Sequence, residues 1–89
     1  MTTERSVRIQ NKNGLHARPA AELVKIASRF ESEITMVRDE LEVNGKSIMG
    51  VMMLAAEYGA ELIIRADGPD AEQAVHALAD LVAMKFGES

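Results

Sequence analysis

The chain has 89 residues, a length typical of one domain with one modest hydrophobic core. Its net charge of −4 and its aromatic fraction of 3% argue against nucleic-acid binding. The absence of cysteine excludes disulfides and thiolate chemistry, and no apolar run is long enough to span a membrane. Since the N-terminus also lacks a secretion signal, we expect a cytoplasmic protein.

The first part of the chain predicts a strand followed by a helix. Residues 6–10 alternate polar and apolar side chains, as in a strand with one buried face. Across residues 17–30 the apolar positions recur at helical spacing, which predicts an amphipathic helix. Pro19 fits only in the first turn of this helix, so the helix begins near it and His16 lies at its N-cap.

The middle of the chain predicts a hairpin and a short helix. Residues 33–37 and 40–43 are alternating runs separated by a turn at residues 38–39, which indicates an antiparallel hairpin. Ser47 precedes an apolar segment, residues 48–54, and serine in that position is typical of a helix N-cap. This helix has room for only about two turns.

The last part predicts a central strand and a final helix. Residues 61–66 are the most apolar strand and belong in the middle of a sheet. Asp70 is expected to cap a helix that runs to about Lys85, on which His76 is a surface residue. The order β-α-β-β-α-β-α predicts an α+β domain of two layers, with helices on one face of a single small sheet.

The predicted helix start at His16 is the candidate functional site. The first turn of a helix has unpaired backbone N–H groups and the positive end of the helix dipole, so it favours an anion. A neutral imidazole is a nucleophile near neutral pH, and the N–P bond that it forms is weak enough for onward transfer. A guanidinium beside it, that of Arg18, matches phosphate geometrically.

Two separated motifs carry a family resemblance. Residues 14–20 (GLHARPA) and residues 46–52 (KSIMGVM) resemble HPr, the histidine-containing phosphocarrier of the bacterial sugar phosphotransferase system. The resemblance covers almost the whole chain and implies a single domain over residues 1–89. It also implies an open-faced β-sandwich, with a four-stranded antiparallel sheet in the order 1-4-2-3 and three helices on one face.

The same resemblance implies a role for three residues. His16 is expected to accept a phosphoryl group on Nδ1 from phosphorylated enzyme I and to pass it to the IIA domain of a sugar permease. Arg18 is expected to assist at the phosphorylated site, together with the backbone N–H groups of Ala17 and Arg18. Ser47 is expected to be phosphorylated from ATP by HPr kinase/phosphorylase. No cofactor and no metal are expected.

A docking surface for these partners is expected around His16. Methionine suits such a surface because its flexible side chain repacks against different partners. The residues expected to form it are Leu15, Ala17, Ile48, Met49 and Met52. Met53 is expected instead to pack in the core, and a carrier that presents one surface to several partners is expected to be a monomer.

Other functions remain open from the sequence. A regulatory carrier of the nitrogen-related branch, whose phosphorylation state acts as a signal, fits the same motifs. A small binding module without phosphotransfer is a second alternative, because one fold hosts many functions. An enzyme in its own right is disfavoured, since no second acid/base group or metal-ligand cluster accompanies His16 in the sequence.

Overall fold

The computed structural model describes residues 1–88, and the order of its elements confirms the sequence prediction. The strands are β1 (Thr2–Arg8), β2 (Glu33–Arg38), β3 (Leu41–Asn44) and β4 (Glu61–Asp67). The helices are α1 (Ala17–Ala27), α2 (Ile48–Met52) and α3 (Ala71–Ala83), followed by a 3-10 turn at Lys85–Gly87. Within residues 1–88, no helix is both long and apolar enough to cross a membrane.

The strands form one antiparallel sheet in the order β1-β4-β2-β3, as the resemblance implied. Ile64 of the central strand β4 pairs with Met36 of β2, and both side chains are fully buried beneath the helices. On the opposite face Arg65 of β4 binds Glu4 of the neighbouring strand β1 at 2.6 Å and Glu42 of β3, two strands away, at 3.2 Å. The domain is therefore the expected open-faced sandwich, with one side of the sheet covered and the other polar.

The strand β1 lies nearer the N-terminus than the predicted residues 6–10. Its first residues show no apolar alternation because β1 is an outer strand whose side chains are exposed or half-buried. The prediction was right about the inward side chains: Val7 is half-buried, and Ile9 is buried just after the strand. The backbone N–H of Ile9 donates to the Ala60 carbonyl at 2.9 Å, which holds the chain as it leaves the sheet.

The helix α1 begins where the sequence predicted, with His16 at the N-cap and Pro19 in the first turn. It ends at Ala27, earlier than the predicted end near Phe30, because the chain turns there to reach β2. The Phe30 N–H donates to the Ala27 carbonyl at 3.2 Å within this turn. The Phe30 side chain still packs, partly buried, against the core.

The predicted hairpin is confirmed, with its turn one position further along the chain. Arg38 pairs with Leu41, so the turn consists of residues 39–40 rather than 38–39. Asp39 has a φ of 55°, a left-handed conformation that aspartate tolerates better than most residues. A turn without glycine is therefore sufficient here.

The helix α2 is capped by Ser47 as predicted, but it is shorter than two turns. The Ser47 hydroxyl oxygen accepts from the Gly50 N–H at 3.1 Å. The prediction that Met53 packs in the core was wrong, since Met53 is 65% exposed. Val51 and Leu54, three positions apart on one side of the segment, fill the core instead.

The end of α2 is tied to the sheet by one side chain. The Arg38 guanidinium donates to the carbonyls of Leu54 and Ala55, at 3.1 and 2.9 Å. It also pairs with the Glu57 carboxylate at 2.7 Å. These hydrogen bonds supply donors to two carbonyls that receive none from the helix. They also fix the position of the segment that follows α2.

The helix α3 ends at Ala83, before the predicted end near Lys85, and Asp70 does not cap it by a side-chain hydrogen bond. The Asp70 carboxylate instead accepts from the Ser32 hydroxyl at 2.6 Å and from the backbone N–H groups of Glu31 and Ser32, each at 2.9 Å. These bonds, the Ser32 hydroxyl first, lower the pKa of Asp70. The expected cap residue thus ties the start of α3 to the segment before β2.

Candidate functional site

The loop between β1 and α1 is held against the segment that follows α2. Gly14 has a φ of +70°, and a Cβ there would lie 2.5 Å from the Ala56 carbonyl oxygen and 2.9 Å from the Glu57 Cα. The next residue, Leu15, donates its N–H to the same Ala56 carbonyl at 2.8 Å. Only glycine allows this conformation and this close approach, so the position of the loop is fixed.

His16 projects from this fixed loop as the N-cap of α1. Its backbone is extended, with φ −78° and ψ −171°, and its carbonyl accepts the first helical hydrogen bond, from Ala20 at 3.0 Å. Its side chain makes no capping hydrogen bond and is 42% exposed. The imidazole is therefore available to a partner while its backbone is held in place.

One ring nitrogen of His16 has a partner. Nε2 lies 3.2 Å from both carboxylate oxygens of Glu88, whose side chain is 19% exposed. Among residues 1–88, Nδ1 makes no hydrogen bond, so the two nitrogens are in different environments. The nitrogen without a partner is the one that the family resemblance assigns to the phosphoryl group.

The surroundings of His16 can hold an anion. The N–H groups of Ala17 and Arg18 belong to the first turn of α1, where no intrahelical acceptor exists. The Arg18 side chain is exposed and, within the described residues, forms no salt bridge. Arg18 and Glu88 line a pocket of about 340 Å³, together with Lys12, Asn13 and Gly87. Two cations, Lys12 and Arg18, therefore share a pocket with Glu88, the residue that contacts the His16 imidazole.

The second motif forms α2, and α2 packs against α1. Ser47 is half-buried at its N-cap, and an exposed apolar surface follows it. We call this surface the α2 patch; it comprises Ile48, Met49, Met52 and Met53. Met49 is its most exposed member, at 80%.

The expected docking residues fall into two groups. Ile48, Met49 and Met52 are exposed as expected, and so is Ala17 on α1. The prediction for Leu15 was wrong, because Leu15 is 5% exposed and belongs to the core. The hydrogen bond from its backbone N–H to the Ala56 carbonyl holds Leu15 against the segment that follows α2. A loop has no periodic pattern from which this burial could have been predicted.

Three residues of the site were missed by sequence reasoning. Met53 belongs to the α2 patch, and Glu88 and Asn11 lie behind His16. Asn11 is fully buried, and its side-chain N–H groups donate to the Gly14 carbonyl at 2.6 Å and to Glu88 Oε1 at 3.1 Å. The only sequence signal for Asn11 was the loop composition. Glu88 lies 72 positions from His16 in the chain, so no local pattern connects the two residues.

The described part of the chain holds no cluster of three or more His, Cys, Asp or Glu side chains suited to a metal ion. The site itself offers an imidazole, a guanidinium and the backbone N–H groups at the start of α1.

Comparisons with known proteins identify the family of the chain. Residues 3–84 match the family model described as PTS HPr component phosphorylation site. The phosphocarrier protein HPr of Treponema pallidum is 51% identical over 84 residues, 94% of this chain and 96% of that protein. The crystal structure of HPr-C-His from Thermoanaerobacter tengcongensis superposes with a TM-score of 0.94 at 48% identity, covering 98% of each chain. The phosphocarrier protein NPr of Shewanella violacea is 42% identical, over 97% of this chain and 94% of that protein.

The match spans the phosphorylation motif, the two-layer fold and nearly the full length of the relatives. We conclude that the chain belongs to the HPr family and is a phosphocarrier protein rather than an enzyme.

Proposed function

We propose that the chain accepts a phosphoryl group on Nδ1 of His16 from phosphorylated enzyme I and passes it to IIA domains of sugar permeases. The observation that carries this proposal is the asymmetry of the imidazole: Nε2 faces Glu88 at 3.2 Å, and Nδ1 makes no hydrogen bond within residues 1–88. A ring nitrogen with a free lone pair can attack phosphorus, and the resulting N–P bond can be broken again by the next acceptor.

Arg18 and the start of α1 would hold the transferred group. A phosphoryl group on His16 carries negative charge, and the positive end of the helix dipole stabilises an anion in that position. The guanidinium of Arg18 can bind two phosphoryl oxygens at once, which a lysine cannot do. The N–H groups of Ala17 and Arg18 add donors that α1 itself leaves unused.

The α2 patch would be the docking surface for enzyme I and for IIA domains. Ile48, Met49, Met52 and Met53 are exposed although they are apolar, and the methionines can repack against partners of different shape. Ala17 extends the surface toward His16. Because donor and acceptor must both reach the same histidine, we propose that they use this surface in turn.

We also propose that the working form is a cytoplasmic monomer. A monomer leaves the α2 patch and His16 open to successive partners. An HPr from Thermoanaerobacter tengcongensis that is 50% identical forms a dimer in its crystal structure. Light scattering at micromolar concentration tests this point, since a dimer of twice the 9.7 kDa chain mass would contradict it.

Ser47 is the proposed site of regulation by HPr kinase/phosphorylase. Its hydroxyl is half-buried at the N-cap of α2, directly before the α2 patch. Phosphorylation would add about −1.5 to −2 charge there, which repels an acidic partner at the docking surface. The Ser47→Asp variant, which retains a capping side chain, should be a poorer acceptor from enzyme I by at least about threefold in kcat/KM, whereas Ser47→Thr should match the wild type.

A second role within the same family is a signalling carrier without sugar transport. The relationship to NPr of Shewanella violacea favours this candidate. The residues around His16 serve both roles equally well. Sugar uptake by a strain that lacks the gene separates them, because uptake at the normal rate would exclude the transport role.

The proposal is tested by incubation with enzyme I and labelled phosphoenolpyruvate. The wild-type chain should gain one acid-labile phosphate, and His16→Ala should gain none. His76→Ala is the matched control, since His76 is an exposed histidine on α3, paired with Asp80 at 3.3 Å. Labelling of His16→Ala, or loss of labelling in His76→Ala alone, would refute the assignment. A binding module without phosphotransfer predicts no labelling of any variant.

A further inference from the structure

Glu88 and Asn11 form a connected pair behind the histidine. The Glu88 carboxylate contacts Nε2 of His16 at 3.2 Å with both oxygens. One of these oxygens, Oε1, also accepts from the Asn11 side chain at 3.1 Å. Within residues 1–88, Glu88 binds these two side chains rather than Lys12 or Arg18, which line the same pocket.

This pair is held from two sides. Asn11 is fully buried, and its second side-chain N–H donates to the Gly14 carbonyl at 2.6 Å, in the loop that carries His16. Phe86, two positions before Glu88, is buried in the core and holds the segment that carries Glu88. The carboxylate is therefore placed by the fold rather than by chance contact with an exposed histidine.

A neutral imidazole carries one N–H and one lone pair, and an ionised carboxylate can only accept. The contact with Glu88 therefore favours the form in which the proton is on Nε2 and the lone pair is on Nδ1. We propose that Glu88, oriented by Asn11, is a positioning residue that selects this tautomer and ring orientation of His16. This proposal rests on the proposed function, in which Nδ1 receives the phosphoryl group.

The transfer then needs no proton movement on the ring. The Nδ1 lone pair forms the N–P bond while the bond between phosphorus and the donor breaks, and that electron pair leaves with the donor. The proton stays on Nε2, where an oxygen of the Glu88 side chain continues to accept its hydrogen bond. In the second transfer a nucleophile of the acceptor bonds to phosphorus while the N–P bond breaks. The electron pair of that bond returns to Nδ1, which leaves the same tautomer as before.

The first test uses the unphosphorylated protein and does not depend on phosphotransfer. In ¹⁵N-labelled protein at a pH where the ring is neutral, long-range ¹H–¹⁵N correlations identify the protonated ring nitrogen of His16. The wild type should have the proton on Nε2, and Glu88→Ala should show a measurable rise in the Nδ1–H form. His76 provides an internal control, since its ring signals should not move. Unchanged His16 signals in Glu88→Ala would overturn the proposal.

The second test separates positioning from docking. Glu88→Ala should lower kcat for phosphorylation by enzyme I by about two- to tenfold, the value of one partly exposed hydrogen bond, while KM is unchanged. Glu88→Gln should retain most of the rate, because its amide oxygen can replace Oε1 toward both His16 and Asn11. A Glu88→Ala variant with wild-type kcat, or a Glu88→Gln variant as slow as Glu88→Ala, would overturn the proposal. If the wild type itself is not phosphorylated, the proposed function fails, and the tautomer measurement still stands.

Discussion

Replacing Gly14 with alanine should destabilise the protein by forcing apart the loop that carries His16 and the segment that follows α2. A Cβ at this position would lie 2.5 Å from the Ala56 carbonyl oxygen, whereas real contacts of this kind stay above 3.0 Å. The loop must therefore move outward by about 0.5 Å or more. That movement stretches the bond from the Leu15 N–H to the same carbonyl, now 2.8 Å long.

The magnitude follows from two contributions. Alanine at the left-handed φ of Gly14 costs about 1–2 kcal/mol. Forcing the backbone apart and weakening one hydrogen bond adds about 1–3 kcal/mol. We expect a loss of about 3 kcal/mol in the free energy of unfolding, a large part of the stability of a domain of this size.

Urea-induced unfolding followed by circular dichroism measures this loss, and Gly59→Ala provides the matched control. Gly59 also has a left-handed φ, +88°, but nothing lies within 4 Å of its would-be Cβ. Its variant should therefore lose only the conformational part, about 1–2 kcal/mol. If Gly14→Ala is no less stable than Gly59→Ala, the argument that this loop is held by close backbone contact is refuted.

Three further predictions concern the core, the start of α3 and α2. Leu62→Ala removes a fully buried side chain from the central strand β4 and should cost about 3 kcal/mol in the free energy of unfolding, measured with urea. A cost below about 1 kcal/mol would contradict the close packing of Leu62 in the core. Asp70→Asn should reduce stability at neutral pH because the donors of Ser32 lose an anionic acceptor. These hydrogen bonds lower the pKa of Asp70 below its ordinary 3.8. The stability that the ionised carboxylate contributes is therefore present above that pH and is lost as the pH falls through the lowered pKa. Unfolding measured against pH should therefore show the two proteins converging in acid, and a constant difference would contradict the assignment. Val51→Ala should cost about 2 kcal/mol and Met53→Ala less than about 0.5 kcal/mol, and equal costs would place Met53 in the core after all.

The elements of the fold were predictable because each has a local signal. Alternating side chains indicated the hairpin, and the apolar run at residues 61–66 indicated β4. Helical spacing indicated α1 and α3, and Pro19 and Ser47 marked two helix starts. The sheet order came from the family resemblance and not from these patterns. Strand β1 was misplaced because it is an outer strand whose inward side chains are only half-buried, so its first residues need no apolar alternation.

The errors have a common physical cause. Contacts with distant parts of the chain determine that Leu15 is buried and Met53 is exposed. Neither result could be predicted locally, because a loop or a one-turn helix has too few residues for a periodic pattern. The Asp70 carboxylate accepts from donors of Glu31 and Ser32 rather than from the N–H groups of its own helix. Only the tertiary packing determines this choice of partner.

The candidate site was predictable in part. The positions of His16 and Ser47 at two helix starts follow from the sequence, and the structure agrees with both. The carboxylate behind His16 has no sequence signal, because Glu88 reaches it only through the fold of the whole chain. The features that position the histidine are therefore harder to predict than the histidine itself.

The proposed function depends on Nδ1 of His16 as the atom that carries the phosphoryl group. Phosphorylation of ¹⁵N-histidine-labelled protein by enzyme I, followed by ³¹P–¹⁵N NMR, measures this directly, because only the phosphorylated nitrogen couples to phosphorus. We predict a single coupling, to Nδ1 of His16, with Nε2 still protonated beside Glu88. A coupling to Nε2, or a phosphate that survives acid on another residue, would contradict it.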